Sequence, residues 1–461
     1  MKEIMVSLFA TCLLLSATTI ITGQKEVIDG PVDDKGTLQI TDEDIIPMLL
    51  DQLDEEMMLG YIEDLVDISN KYCKVFPYSA RLTGTEGCEE GADYIYQQFD
   101  EMGLDVRYQD WTAKGTWGIW QALTFISQNI EAILHGTGGS DAAYVICAHY
   151  DTAMNTPSAD DNSAGVAAVL SAAKIMSQYE FNHDIRFICW SGEEQGLIGS
   201  HAYVENSYEN CDNIIAAINL DMIGYTSDKI ENDEYKVLVY ETCSNKLIGT
   251  AIEISENPEY SQYLNLEVVP SEDDSGHISD QRSFCKFAYG SIFIHEFTWN
   301  EEKDKSSDTI ENMDVDYATR VAKLAMGTLA KLALSPAVSN TPPEKPGTIN
   351  GPDDGEINVR YTYTTSTTDP DGDQIYYLFD WDDGSNSGWV GPYYSDEIAH
   401  ASHTWTEEGD YKIRVKAKDE HGIQSGWGEK SKNKQSINIL PLKFLESFQH
   451  VLQMLRHLLK L

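Results

Sequence analysis

From about residue 60 to 335, short unbroken apolar runs alternate with longer stretches whose apolar residues recur at helical spacing. The short runs are "AAYVICA" (142–148), "DIRFICWS" (184–191), "IIAAINL" (214–220), "YKVLVYE" (235–241) and "GSIFIHEF" (290–297). Their length and branched side chains predict buried strands. The helix-spaced stretches are 163–179, which is rich in alanine, the segment after Gly192, and 315–334. Alternation of this kind predicts an α/β domain over 60–335, a mainly parallel sheet with helices on both faces.

The pattern breaks at "SPAVSNTPPEKPG" (335–347), whose four prolines predict an extended linker over 336–347. Residues 348–440 then carry short alternating runs such as "YKIRVKAKD" (411–419) and turns such as "DPDGD" (369–373). They predict a C-terminal all-β, Ig-like sandwich, separable from catalysis, so that residues 1–335 should keep most activity on small substrates unless the C-terminal helix packs on the first domain. The tail, 441–461, is spaced as an amphipathic helix that must bury one face, on its own protein rather than in a membrane. Upstream, 24–59 reads as an acidic N-terminal segment, with 42–58 a helix or a propeptide remnant. Residues 6–21 are apolar behind Lys2. They predict a signal peptide over 1–23, with an uncleaved anchor as the alternative, and hence a secreted or extracellular protein.

Charge narrows the function. Among 461 residues, Lys+Arg number 32 and Asp+Glu 76, a net charge of -44. Such a surface repels phosphate backbones and anionic lipid, which disfavours nucleic-acid and membrane-surface roles. Cys12 lies in the apolar run, and the remaining seven cysteines include no CxxC zinc-finger pattern. Cys73 and Cys88, flanking a loop, are the first candidates for a disulfide, whereas Cys147 and Cys189 sit in strand-like runs as buried thiols.

Candidate chemistry gathers where the predicted strands end. The first strand runs into His149-Tyr150-Asp151, and Asp160-Asp161-Asn162 follows at the mouth of the Ala-rich helix. The second strand ends at Glu193-Glu194 and the third at Asn219-Leu220-Asp221. In an open parallel sheet, ligands bind beyond the carboxyl ends of the strands. One imidazole and several carboxylates would therefore converge there. Close carboxylates cannot all stay ionised without a cation, and an imidazole among them favours zinc.

In order, spacing and context, "AHYDT", "SADDNSAGVAA", "SGEEQGLIGS" and "NLDMIGY" resemble the successive motifs of zinc-dependent aminopeptidases of the bacterial leucyl-aminopeptidase-like family. The resemblance covers about 60–335. It implies the zinc exopeptidase fold, two co-catalytic zinc ions, and a metal-activated water that removes N-terminal residues from peptides. It also implies roles: His149 and Asp221 as ligands of one zinc, Asp161 as the bridge, Glu194 as a ligand of the other, and Glu193 as general base. Asp151 would hold the tautomer of His149.

The later motifs depart from the family pattern. "SDQRSF" (279–284) has Gln281 where the family has histidine, and "KSSDTIENMD" (305–314) places Asp304 where the family's last zinc-binding histidine stands. Asp304 is then a substitute ligand, unless the second site is weak or His295 of "IHEF" takes its place. Residues 348–440 resemble a polycystic-kidney-disease-type module. Its "DPDGD" carboxylates are a calcium candidate or a solvated turn, and Trp381, Trp389, Trp405 and Trp427 are core or sheet-face residues. Two further readings are a single-zinc glutaminyl-peptide cyclotransferase and a non-catalytic peptidase-like binding protein; the intact Asp161, Glu193 and Glu194 lean toward hydrolysis.

Overall fold

A computed structural model describes residues 42–73, 79–139, 141–226, 235–241, 245–258, 264–269, 278–336, 340–429 and 437–440. The predicted signal peptide and the predicted helix over 441–461 lie outside these residues. The chain divides into two units, 1–45 and 46–461. Of the first, only the opening residues of helix α1 (Asp42–Gln52) are described.

The second unit opens with α2 (Glu55–Cys73) and α3 (Glu86–Glu101). The predicted domain start at residue 60 falls inside α2, whose buried face (Met58, Tyr61, Ile62, Leu65, Val66) is continuous across it. An antiparallel hairpin follows, β1 (Asp105–Lys114) and β2 (Thr124–Leu134). Next come β3 (Ala143–His149), α4 (Gly165–Met176), β4 (Asp184–Trp190), α5 (Ile198–Asn210) and β5 (Ile214–Leu220). The domain closes with β6 (Tyr235–Glu241), α6 (Asn245–Glu256), β7 (Leu264–Val269), α7 (Gln281–Lys286), β8 (Gly290–Glu296) and α8 (Val315–Leu334).

The eight strands form one sheet in the order β1-β2-β4-β3-β5-β8-β6-β7. Its centre, β4-β3-β5-β8, is parallel, whereas β1–β2, β2–β4 and β6–β8 are antiparallel. The sheet is therefore mixed around a parallel centre. Every residue of β3 is buried, as a central parallel strand covered on both faces requires. Val145 and Cys147 pack with Tyr203, Val204 and Tyr208 of α5 and Phe284 of α7. Alternation along the strand turns its other side chains to the opposite face, where α4 and α8 pack on β3. Helix α8 starts where the Asp314 carboxylate accepts the Tyr317 backbone N–H at 3.0 Å, an N-cap.

Cys147 and Cys189 are buried thiols, as the sequence indicates. Cys73 and Cys88 are not joined. The Cys73 sulfur donates to the Thr156 carbonyl, and Cys88 faces the Ser127 hydroxyl. Nearness in sequence misled here, because the two residues sit on different helices directed at different partners. Cys285 is disulfide-bonded.

The C-terminal module is built from two-, three- and four-stranded sheets, packed over Tyr363, Tyr377, Phe379, Trp381 and Trp405. Residues 340–347, placed in the linker by their prolines, are tied into this module. Glu344 N–H donates to Thr368 O, Gly347 N–H to Ser366 O, and Asn340 to Asp419. Trp389 and Trp427 face the α/β domain, where their indoles donate to the carbonyls of Ala288 and Tyr208. Leu378 joins the same cluster as Trp190 and Phe284. Arg414 forms a bidentate pair with Glu209 at 2.6 and 2.8 Å, and the Lys416 ammonium lies over the Tyr208 and Trp427 rings. This seam ties the module to the α/β domain, while the expectation that the module is separable from catalysis concerns activity and calls for a truncation assay. The buried Leu378 is worth about 1.5–3 kcal/mol, the half-buried indoles add to it, and each kcal/mol moves melting by about 2–4 °C in domains of this size. A chain ending at Ser335 should accordingly melt roughly 10 °C or more below the full protein in a thermal scan; unchanged melting of the α/β domain would show that the seam adds nothing.

Candidate metal centre

Five of the residues marked by the sequence meet in two groups that share one member. His149 ends β3, Asp221 follows β5, and Asp161 stands in the turn before α4. The His149 Nε2 lies 3.2 Å from Asp161 Oδ1 and 3.3 Å from Asp221 Oδ1, and donor atoms of all three fall within 4.8 Å of one another. The second group is Asp161, Glu194 and Asp304, again within 4.8 Å. Glu193 lines the same cleft.

Local structure explains how the loops reach these positions. Gly192 has φ +83°, and a Cβ there would lie 2.4 Å from Ile198 Cγ1, so only glycine makes the turn that presents Glu193 and Glu194. Gly165 has Asn162 Oδ1 2.3 Å from where a Cβ would stand. That close approach lets Asn162 accept the Gly165 N–H while donating to Leu220 O, tying the Asp161 turn to the end of β5.

Asp151 does more than the sequence assigns it. Its carboxylate accepts the backbone N–H groups of Glu193 and Glu194, at 3.2 and 3.3 Å, and the Thr83 hydroxyl at 2.9 Å. The nearest acceptor to His149 Nδ1 is the Asp151 carbonyl oxygen at 3.1 Å, with the carboxylate at 3.7 Å. Residue 151 thus fixes the imidazole through its backbone and the Glu193–Glu194 turn through its side chain.

Three supporting residues were missed. Arg81, fully buried, donates to Tyr150 O, Leu65 O, Ser69 and Ser163, pinning the loop beyond β3. The Asp308 carboxylate accepts the N–H groups of Asp160 and Asp161. The third is Lys303, whose ammonium lies 3.2 Å from Asp161 Oδ2 and 3.6 Å from Asp304 Oδ2. In sequence nothing sets it apart from the neighbouring charges of "EEKDK".

The charge balance shows what the centre lacks. Burial, and then neighbouring carboxylates, push the Glu193 and Glu194 carboxyls well above the usual range. At His149 burial disfavours the charged ring, but Asp221 and Glu193 outweigh it and hold its pKa well above the ordinary value. Burial also works against the Asp161 anion, yet Lys303 and His149 keep this carboxyl below the usual range. Among the described residues, the buried Glu194 Oε1 has no hydrogen-bond partner. Lys303 offsets part of this negative charge but leaves the Glu194 oxygen unpartnered, so the cluster as a whole suits a further cation. One imidazole nitrogen with two carboxylates at the His149 group is a donor set for zinc with a coordination position left open.

The cleft has a volume of ≈ 330 Å³. Carboxylates and Lys303 line it together with the apolar side chains of Trp117, Met222, Ile278, Phe293 and Trp299. His295 also lines it, packed near Phe293 and Trp299, but joins neither donor group. Gln281 is buried beneath, within reach of Asn219. In the C-terminal module Asp373, Glu420 and His421 form a third group. An imidazole there departs from the all-oxygen set that calcium prefers. The Asp369 carboxylate of "DPDGD" instead caps its own turn, accepting the N–H groups of Asp371 and Asp373.

Residues 129–329 match the profile of Peptidase family M28, and residues 355–426 that of the PKD domain. The chain is similar to a probable zinc metalloprotease of Pyricularia oryzae, 24% identical over 364 residues, which span 68% of this chain and 70% of the relative. It is also similar to leucine aminopeptidase 1 of Paracoccidioides brasiliensis, 23% identical over 315 residues, 63% of this chain and 74% of that one. Among solved structures, LapB from Legionella pneumophila superposes with a TM-score of 0.53 at 22% identity, covering 64% of this chain and 77% of that protein, which supports the fold.

Proposed function

Starting from a zinc metallopeptidase of family M28 that carries a PKD domain, we propose that this chain removes N-terminal residues with apolar side chains from peptides, outside the cytoplasm. The observation that carries this reading is the pair of donor groups sharing Asp161 in a cleft that is also lined by apolar side chains. The apolar run over 6–21 supports export.

His149, Asp161 and Asp221 would hold a zinc ion. Bound there, zinc supplies Lewis acidity that lowers the pKa of water and polarises a carbonyl. Glu193, buried and with its pKa driven up, takes the proton from the attacking water and returns it to the leaving amine. Asp151 and Thr83 keep the Glu193 backbone in place while it does so. The Glu194 carboxylate, whose Oε1 no described residue pairs, gives the cleft an anionic point to receive a substrate ammonium. The wall of Trp117, Met222, Phe293 and Trp299 receives the first side chain.

The test uses zinc-loaded full-length protein and a panel of aminoacyl arylamides with Nα-acetylated twins. Leu, Phe and Met derivatives should be cleaved about tenfold or more faster than Asp or Lys derivatives, given what apolar pockets discriminate. The acetylated twins should resist. Cleavage of blocked and free substrates alike would contradict an N-terminal exopeptidase, and conversion of Gln-initiated peptides to pyroglutamyl products with nothing released would mark a cyclotransferase.

A further inference from the structure

The second donor group already contains a cation. Lys303 reaches into it from the 297–308 segment with its side chain 29% exposed, the ammonium 3.2 Å from Asp161 Oδ2, 3.6 Å from Asp304 Oδ2 and 5.3 Å from the Trp299 ring centre. The segment that delivers it is pinned. Asn300 donates to Asp160 Oδ2 at 2.7 Å and accepts the Glu302 N–H, and the Asp308 N–H donates to Lys305 O. Asp304, the adjacent residue, has φ +59°, a left-handed conformation that Asp tolerates better than most residues. The two neighbours therefore enter the cleft together, one as an anion and one as its counter-ion.

Three carboxylates this close need positive charge, which either a divalent ion or an ammonium can supply. An ammonium is a compact point charge with three donors and no acceptor. It can satisfy carboxylate oxygens, but it cannot share them with a divalent cation without direct repulsion. By contrast, no lysine forms a salt bridge with Asp221 among the described residues.

We propose that the Lys303 ammonium, held between Asp161 and Asp304, is the resident cation of the second donor group, so that the centre holds one tightly bound zinc, at His149–Asp161–Asp221, and takes a second divalent ion only weakly. The proposal rests on the metallopeptidase reading above, and counting bound metal separates the two. Full-length apoprotein, Lys303→Met and Lys303→Gln are titrated with zinc by calorimetry, and bound metal is counted after gel filtration, with circular dichroism to confirm folding. Wild type should hold one tight equivalent. Both variants should gain a second, its affinity raised by about 10–100-fold, the range that residues neighbouring a metal site command. Two equally tight equivalents in wild type would overturn the proposal, as would a second equivalent that stays weak in both variants. Wild type with no tight equivalent at all would instead sink the metal centre itself.

Discussion

Glu193→Gln should lower kcat/KM by roughly 10²–10⁴, the usual worth of a positioned general base, while zinc content stays at the wild-type level. The change preserves shape, and the backbone N–H of residue 193 can still donate to Asp151. What it removes is the capacity to take and return a proton. Glu193 suits that task because burial first, then Asp221 and Glu194, push its carboxyl well above the usual range, so that it accepts a proton more readily than a solvated glutamate. Its partner in sequence, Glu194, belongs instead to the donor group with Asp161 and Asp304. Glu194→Gln should therefore disturb the second cation position while leaving the proton relay in place. Steady-state kinetics with metal analysis on both variants separates the roles. Wild-type turnover in Glu193→Gln, or loss of zinc from it, would contradict the assignment.

The parts of this architecture that could be read from sequence are those whose chemistry is local. β3, β4, β5 and β8 are mostly apolar runs and mostly buried, as central strands of a covered sheet are, and α8 spans the residues its spacing marks. His149, Glu193, Glu194 and Asp221 stand out because they lie at or just beyond the ends of such runs, and Asp161 because it opens the Ala-rich helix. The hairpin β1–β2 was not legible. In β1, "DVRYQDWTAK", only Trp111 is buried, so the strand shows no apolar alternation and its existence depends on pairing with β2. The support of the site was hidden for a similar reason. Arg81 is defined by acceptors at residues 65, 69, 150 and 163, and Asp308 by backbone groups about 150 positions upstream. Lys303 resembles any surface lysine until the fold sets it on Asp161. The seam with the PKD domain was masked in the same way, since Trp389 and Trp427 show their partners only across it.

Asp161→Ala should have the largest effect of any single change in the centre. Asp161 belongs to both donor groups and is buried, 3.2 Å from His149 Nε2 on one side and 3.2 Å from the Lys303 ammonium on the other. Its loss leaves His149 and Asp221 as the only described protein donors of the first group, too few for a catalytic zinc site, which takes three protein ligands. It also leaves Lys303 with Asp304 alone within salt-bridge reach. Zinc affinity should fall by more than the 10–100-fold that changes around a site produce, and turnover at least as far as in Glu193→Gln. Asp161→Asn, closer in shape, should lie between, because one neutral oxygen can still donate weakly to the metal. The most direct test is elemental analysis of extensively dialysed wild-type and Asp161→Ala protein, both confirmed folded. The account predicts about one zinc per wild-type chain and close to none in the variant; a wild type free of zinc, or a variant that keeps its full complement, would contradict it.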